Sequence, residues 1–466
     1  SSSTTVPIVE GQPLVYRKKE KSVKPSSFSC SVLLALVVLS GSGCLGLPGK
    51  AQPMSSDQKA LYRESFQLVC DRIDTTFWDP DALGEKWAQS KDIQRAQLEA
   101  ASTAGEARKA MHGLLSGLNL SHFGIIPGSA SEGLGEGGSA ETGAVLRVGD
   151  GRAVVVRIEG DSPAEHAGIL AGEIVVAVGD RQLEPLIEQW AADGNKYLPV
   201  QGMASAMQGS AGDTRTYTIE DADGILRDVE VTLETPTGTG KPVKFGHIGP
   251  VPLRLEKNLV EGGYLYLRFN MFLGPMQVMP WFQKALEKHA DAPGLVLDLR
   301  GNPGGLGLMA CGIAGWLIEG EGLELGVMQF RDSKMKFVVN PRLDPWQKPV
   351  AILVDEGSAS TSEILAQGLQ DLGVARIFGR TTAGAALPSM IVRLPCGDLL
   401  QYAIAGYRSH SGRVLEGDGV IPDEVIEVDA EKIREQGDLE LAAALRWMES
   451  LSSPEDGAAV QPPDQQ

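Results

Sequence analysis

Cysteine is scarce in this chain of 466 residues, which holds five (Cys30, Cys44, Cys70, Cys311 and Cys396) and no Cys-x-x-Cys spacing. A zinc knuckle and a dense disulfide framework are therefore excluded. Cations are also short, with 42 Lys and Arg against 60 Asp and Glu and a formal net charge of -18. Nucleic acid is not the expected partner, because phosphate binding needs a basic face. No apolar run approaches the roughly 20 residues of a confident membrane-spanning helix. A phosphate loop of the Gly-x-x-x-x-Gly-Lys type is missing, and no metal or organic cofactor is implied. What is present is an ordinary globular composition, 42% hydrophobic and 22% charged, with 56 glycines that announce many turns. At roughly 150 residues per domain the length corresponds to about three domains.

The N-terminal part reads as an export signal. Arg17, Lys18, Lys19, Lys21 and Lys24 precede an apolar stretch from Val32 to Leu39, which ends in Ser40-Gly41-Ser42-Gly43-Cys44. A basic segment, a short apolar segment and small residues are the order of a secretory signal. Cys44 after small residues resembles a bacterial lipoprotein box, with Gly41 departing from the larger residue usual three places earlier. The expectation is an exported, envelope or periplasmic protein, lipid-anchored to membrane through Cys44. An uncleaved anchor helix is the alternative. Residues 1–55 are assigned to this segment and its linker.

Residues 56–127 read as a helical region, with Leu61, Phe66, Leu68, Val69 and Ile73 at helical spacing and a break at Phe77-Trp78-Asp79-Pro80. A glycine-rich connection, 128–143, leads into short β segments at 143–148, 153–158, 174–178, 214–220 and 228–233. Ser162-Pro163-Ala164-Glu165 is a capping box with proline at the first helical position, and Gly168 stands where that turn would end. From residue 244 strands alternate with helices. The strands fall at 263–269, 294–299 and 350–354. The helices fall at 278–289, where Pro280 falls in the first turn, and at 362–372. This alternation predicts an α/β core over 244–430. A C-terminal helix is expected within 431–452, and a polar tail, 453–466, has a disordered composition.

The chemistry concentrates where predicted strands end. Val354-Asp355-Glu356-Gly357-Ser358-Ala359-Ser360-Thr361-Ser362-Glu363 runs from a buried strand through small residues into a helix. A serine at such a junction is lifted to the sheet's end, beside helix N–H groups that favour an oxyanion. Ser360 and Glu363 also have the spacing of a plain capping box. Ser358 and Ser362 flank Ser360 and remain alternatives. Leu297-Asp298-Leu299-Arg300-Gly301-Asn302-Pro303-Gly304-Gly305 is a second strand ending in a glycine-rich turn, and Phe378-Gly379-Arg380-Thr381-Thr382-Ala383-Gly384 a third. Glu416-Gly417-Asp418-Gly419 follows.

In this order and spacing these segments resemble the tail-specific (C-terminal processing) serine protease family, over roughly residues 56–450. Residues 140–235, from Asp161-Ser162-Pro163-Ala164 to Val178-Gly179-Asp180, resemble a PDZ domain. The resemblance implies a core of crotonase-like ββα repeats. It places the nucleophile at Ser360 and the oxyanion donors at the backbone of Thr361 and of Gly304 or Gly305. A carboxylate-binding loop falls near Thr142-Gly143-Ala144-Val145, which would hold polypeptide C-termini by adding them to a sheet edge. The lysine that most processing members use falls on Ala385, so a Ser–Lys dyad is not available and another base is needed. Leu120-Ser121-His122-Phe123 looks like the serine–histidine motif of the tricorn-like, retinoid-binding-protein-like branch. That branch implies His122 as base, Ser121 as its neighbour and Glu416 as the carboxylate. His410, six residues before Glu416, is the rival base. The expected activity is endoproteolysis of unfolded or C-terminally exposed polypeptides. The alternative is an inactive peptide- or ligand-binding protein on the same fold.

Overall fold

A computed structural model describes residues 34–36, 52–128, 140–192, 197–236, 241–245 and 248–452. Cys44, most of the expected export segment, His247 and the tail 453–466 lie outside the described residues.

The central sheet runs in the order Leu255–Leu259, Leu265–Phe269, Leu295–Asp298, Val350–Val354, Arg376–Gly379, Glu424–Val425. Its first pair is antiparallel and the others parallel. Parallel strands are covered on both faces, and the strands Leu295–Asp298 and Val350–Val354 are buried at every position. Alternate side chains divide between two layers. Leu265, Leu267, Leu295, Leu297, Ile352 and Val354 join the helices Pro275–Lys288, Gly307–Ala314 and Thr361–Asp371 on one face. Tyr266, Val296, Ala351, Leu353 and Phe378 meet Ala443, Ala444 and Met448 of the helix Leu439–Ser452 on the other. The strand period of two thus builds a three-layer sandwich.

Three helices, Ser56–Thr76, Pro80–Ala100 and Ala104–Ser116, form the N-terminal region. Asp79 caps the second, and Pro80 begins it where a missing N–H costs nothing. Phe66, Val69, Met111 and Leu114 share one core with Ile125, Leu400 and Tyr402. The helical region is therefore packed on the antiparallel hairpin Ser389–Arg393 and Leu399–Ala403, whose outer strand pairs with Gly124–Ile126. That pairing carries residues 121–126 from the N-terminal region to the edge of the core. The short strand Leu34–Leu36 pairs with Gly304–Leu306 and, at Leu34, with Ser389 in the same sheet.

Residues 144–232 form an antiparallel sheet in the order Leu226–Thr232, Thr214–Glu220, Ile174–Val178, Arg152–Ile158, Ala144–Gly149. Met203 and Met207, from and just after the helix Tyr197–Ala206, pack on this sheet with Ile187 and Tyr217.

The C-terminal helix expected within 431–452 is Leu439–Ser452, and a shorter helix, Ala430–Gln436, precedes it, parted from it at Gly437 with φ +74°. One expectation is corrected. The helix expected at 278–289 begins at Pro275, so Pro280 lies inside it and not in its first turn. The N–H that Pro280 lacks would have reached back to Met276, which is 86% exposed and can leave its carbonyl to water. The strands Glu324–Gln329, Lys334–Val338 and Gly406–Ser409 form a further sheet that the alternation did not announce.

Candidate active site

The strand Val350–Val354 ends below a tight turn that places Ser360 at the head of the helix Thr361–Asp371. Ser360 is fully buried and has φ +58° and ψ -114°, a conformation unfavourable for a residue with a Cβ. Its neighbours' hydroxyls are committed elsewhere. Ser358 Oγ donates to the carbonyl of Leu299 at 2.8 Å, and Ser362 Oγ donates to that of Asn302 at 2.9 Å. Both serve to brace the turn.

Asn302 clamps the glycine turn to the serine turn. Its carbonyl accepts the Ala359 N–H at 3.0 Å, its Nδ2 donates to the Phe269 carbonyl at 2.8 Å, and its Oδ1 accepts the Gly304 N–H at 3.0 Å. Thr361 Oγ1 donates to the Gly305 carbonyl at 3.0 Å. A Cβ on Gly304 would stand 2.8 Å from both Ser360 Cβ and the Thr361 nitrogen, so only glycine lets the turn approach so closely. Gly304, Gly305, Ser360 and Thr361 are thus gathered in one place.

Glu363 is buried and holds the opposite wall. Its carboxylate accepts the Ser360 N–H at 2.8 Å, the Thr382 hydroxyl at 2.6 Å, and the N–H groups of Gly384 and Ala385 at 2.8 and 3.0 Å. Burial pushes its carboxyl up to about 7 against the pull of these donors. The capping-box spacing is therefore realised, and it ties the serine corner to residues 382–385.

The next residue, Ala386, donates its N–H at 3.3 Å to Glu416. Glu416 also accepts the backbone N–H of Ser121 at 2.6 Å and its hydroxyl at 2.8 Å. Burial raises the Glu416 carboxyl, and the Ser121 and Ala386 donors oppose it. Ser121 Oγ lies 2.7 Å from His122 Nδ1. Because Ser121 gives its proton to a carboxylate, its oxygen accepts from Nδ1–H, which leaves the lone pair on Nε2. His122 Nε2 is buried and has no hydrogen-bond partner among the described residues. Burial alone pushes the imidazole down to about 3, so it is neutral at ordinary pH. His122 reaches this position through a backbone with φ +61°.

The remaining predicted residues fall elsewhere. His410 is exposed, past the strand Gly406–Ser409. Thr142, Gly143, Ala144 and Val145 lie at and before the start of the strand Ala144–Gly149. The Thr142 N–H donates to the Met207 carbonyl at 3.0 Å, and the Ala144 N–H donates to Thr142 Oγ1 at 3.1 Å. No local pattern in the sequence singles out Asn302 or Thr382, and Glu363 carries only the spacing of a cap. Adjacent to the serine turn, Asp355 accepts the Gly301 and Gly357 N–H groups at 2.7 and 2.9 Å and pairs with Arg147 of the β-rich region.

Residues 263–426 match the model of peptidase family S41. Over 409 residues the chain is 27% identical to a carboxyl-terminal-processing protease of Picosynechococcus sp., covering 85% of this chain and 88% of the relative. It is 25% identical over 390 residues to a putative tricorn protease homolog 2 of Streptomyces coelicolor, covering 79% of this chain and 30% of that protein. Among solved structures, the photosystem II D1 C-terminal processing protease aligns with a TM-score of 0.54 at 21% identity, over 84% of this chain and 100% of that one.

Proposed function

Residues 263–426 make this chain a member of peptidase family S41, related to the carboxyl-terminal-processing proteases, and on that premise we propose that it hydrolyses polypeptides through Ser360, with His122 as its base. The observation that carries the reading is the arrangement Glu416–Ser121–His122, which leaves an unpartnered, neutral Nε2 to receive a proton. Ser360 Oγ attacks the scissile carbonyl carbon, and its proton passes to His122 Nε2. The tetrahedral oxyanion is met by the Thr361 N–H at the helix start and by the glycine turn. Gly305 is the better donor there, since the Gly304 N–H is held by Asn302. Collapse expels the amine, which takes the proton from His122 and leaves an acyl ester on Ser360. Water attacks the ester carbonyl, giving a proton to the same nitrogen, which passes it to Ser360 Oγ as the acid is released. Ala385 stands where most processing members carry a lysine, and the imidazole replaces that amine.

The sheet of residues 144–232, with its helix Tyr197–Ala206, supports a PDZ-like reading of 140–235, and the core supports the crotonase-like one. The substrates proposed are unfolded or C-terminally exposed polypeptides. The enzyme is proposed to be exported, carrying its signal in residues 1–55 and a lipid on Cys44.

Turnover of an unfolded protein, followed by the intact mass of the products, tests the reading. Ser360→Ala and His122→Ala should each lose on the order of 10⁶ and at least 10³ in kcat with the fold retained. A folded Ser360→Ala protein that still cleaves would overturn it.

A further inference from the structure

Between the β-rich region and the core lies a cavity of about 310 Å³, within the range of ligand pockets. Arg157, Arg254 and Arg268 are among the residues that line it. Arg157 comes from the strand Arg152–Ile158, Arg268 from the core strand Leu265–Phe269, and Arg254 from the segment before Leu255. Glu159 pairs with both Arg157 and Arg268, the second at 3.2 Å, and Glu141 pairs with Arg254 at 2.8 Å. Asp298 and Glu256 stand farther off, each 3.9 Å from Arg268, and Asp298 is already bound by Arg300 at 2.7 Å and by the Tyr266 hydroxyl at 2.7 Å. Arg147, Arg300 and Arg380 also line the cavity, but they are paired with Asp355, Asp438 and Glu440, which leaves Arg157, Arg254 and Arg268 with two close carboxylates between three guanidiniums. The Nε atoms of all three arginines are buried with no hydrogen-bond partner among the described residues. Buried donors of this kind are costly unless a ligand accepts from them.

Two further features give the ligand its class. Apolar side chains of Val145, Val200, Met203, Met207 and Met271 share the wall with polar ones such as Gln201, Gln208 and Asn270. The same cavity is lined by Gly143 and by Pro303, the residue before Gly304. The loop expected to hold a terminal carboxylate has spent its Thr142 and Ala144 N–H groups inside the fold. We propose that Arg157, Arg254 and Arg268 form an anchor for a carboxylate on the substrate polypeptide, with an apolar side chain beside it. This rests on the peptidase reading. Three residues after the end of the strand that carries Arg268 stands Phe272, whose N–H donates to the Gly304 carbonyl at 2.8 Å and whose carbonyl accepts the Leu306 N–H at 2.7 Å. The anchor is thereby joined by a short stretch of chain to the residue that holds the glycine turn.

The test is binding to the Ser360→Ala protein, full length, measured by fluorescence anisotropy. The probes are one fluorescein-labelled peptide with an apolar C-terminal residue as the free acid, the same peptide as the amide, and the amide with a C-terminal Glu. The free acid should bind about tenfold or more tightly than the amide. In Arg157→Gln and Arg268→Gln that ratio should fall below about threefold, while the amide binds as before. An amide carrying Glu that matches the free acid assigns the anchor to acidic side chains, and one that does not assigns it to the α-carboxylate. Arg254→Gln, at the more exposed rim, serves if either buried variant fails to fold. A free-acid preference absent from the parent protein, or undiminished in the arginine variants, would overturn the anchor. Turnover by the active enzyme is read separately, so loss of the peptidase reading leaves the binding result standing.

Discussion

Glu416 takes both the backbone N–H and the hydroxyl of Ser121, at 2.6 and 2.8 Å, across 295 positions of sequence. Two bonds to one residue fix that residue's hydroxyl rotor as well as its place. The hydroxyl in turn decides which nitrogen of His122 bears the proton. Glu416 thus acts on His122 through Ser121, and under the proposed function neither Glu416 nor Ser121 needs to touch substrate.

Ser121→Ala and Glu416→Gln should each lower kcat by about 10- to 100-fold while KM stays within about twofold, because the lost orientation matters when the proton moves. The double variant should be no worse than the poorer single one, since both act through one chain of bonds. Steady-state kinetics on a reporter peptide checks this. Multiplying defects in the double variant would show that the two residues act independently.

Much of this candidate site is legible in the sequence. Ser360, His122 and Glu416 stand in short segments whose strand ends, glycines and order carry recognisable patterns. The central strands were legible because burial on both faces leaves continuous apolar runs, as in Val350–Val354. Asn302 and Thr382 were not, because their roles come from contacts 60 and 19 residues away, with Ser362 and Glu363, that no local pattern encodes. Glu363 had a local signal, its capping spacing, yet the bonds to Thr382, Gly384 and Ala385 depend on the tertiary fold. Residues 324–338 pair with Gly406–Ser409, a partner remote in sequence, and their mixed exposure blurs the strand period.

Glu363 sets an expected pH dependence. With its carboxyl pushed up to about 7 by burial, it is ionised above that pH and accepts all four donors. Below about pH 7 the added proton has no acceptor in this ring of donors, and the bonds to Ser360 and Ala385 weaken. The kcat/KM profile should therefore fall as pH drops through about 7, and Glu363→Gln should be less active and flat there. Stability moves the other way. The folded state holds this proton more tightly than the unfolded one, so the Glu363 contribution is greatest at low pH and declines as pH rises from about 4.5 to 7. An inflection near 7 that survives in Glu363→Gln would assign it to another group.

Arg147 and Asp355 join the β-rich region to the turn that carries Ser360, and both side chains are buried. The Nε of Arg147 donates to Asp355 at 2.8 Å, and the Asp355 carboxylate also accepts the N–H groups of Gly301 and Gly357. Burial opposes the charge on Asp355, yet the Arg147 and Arg380 guanidiniums and the Gly301 N–H hold its carboxyl below the usual range. Arg147→Met removes the guanidinium partner and leaves that charge buried, which should cost about 3–5 kcal/mol. Denaturant titration at pH 7 checks the size. Arg147→Met with Asp355→Asn should recover part of the loss, because no uncompensated charge remains. The pH dependence gives an independent reading of the same pair. A carboxyl depressed in the folded state stabilises above its unfolded value, about 4, and that stability disappears as pH falls through the folded value. The acid-side loss should therefore be steeper in the parent protein than in the double variant. Equal stability of Arg147→Met and the parent at pH 7 would mean that the pair contributes nothing to holding the two regions together.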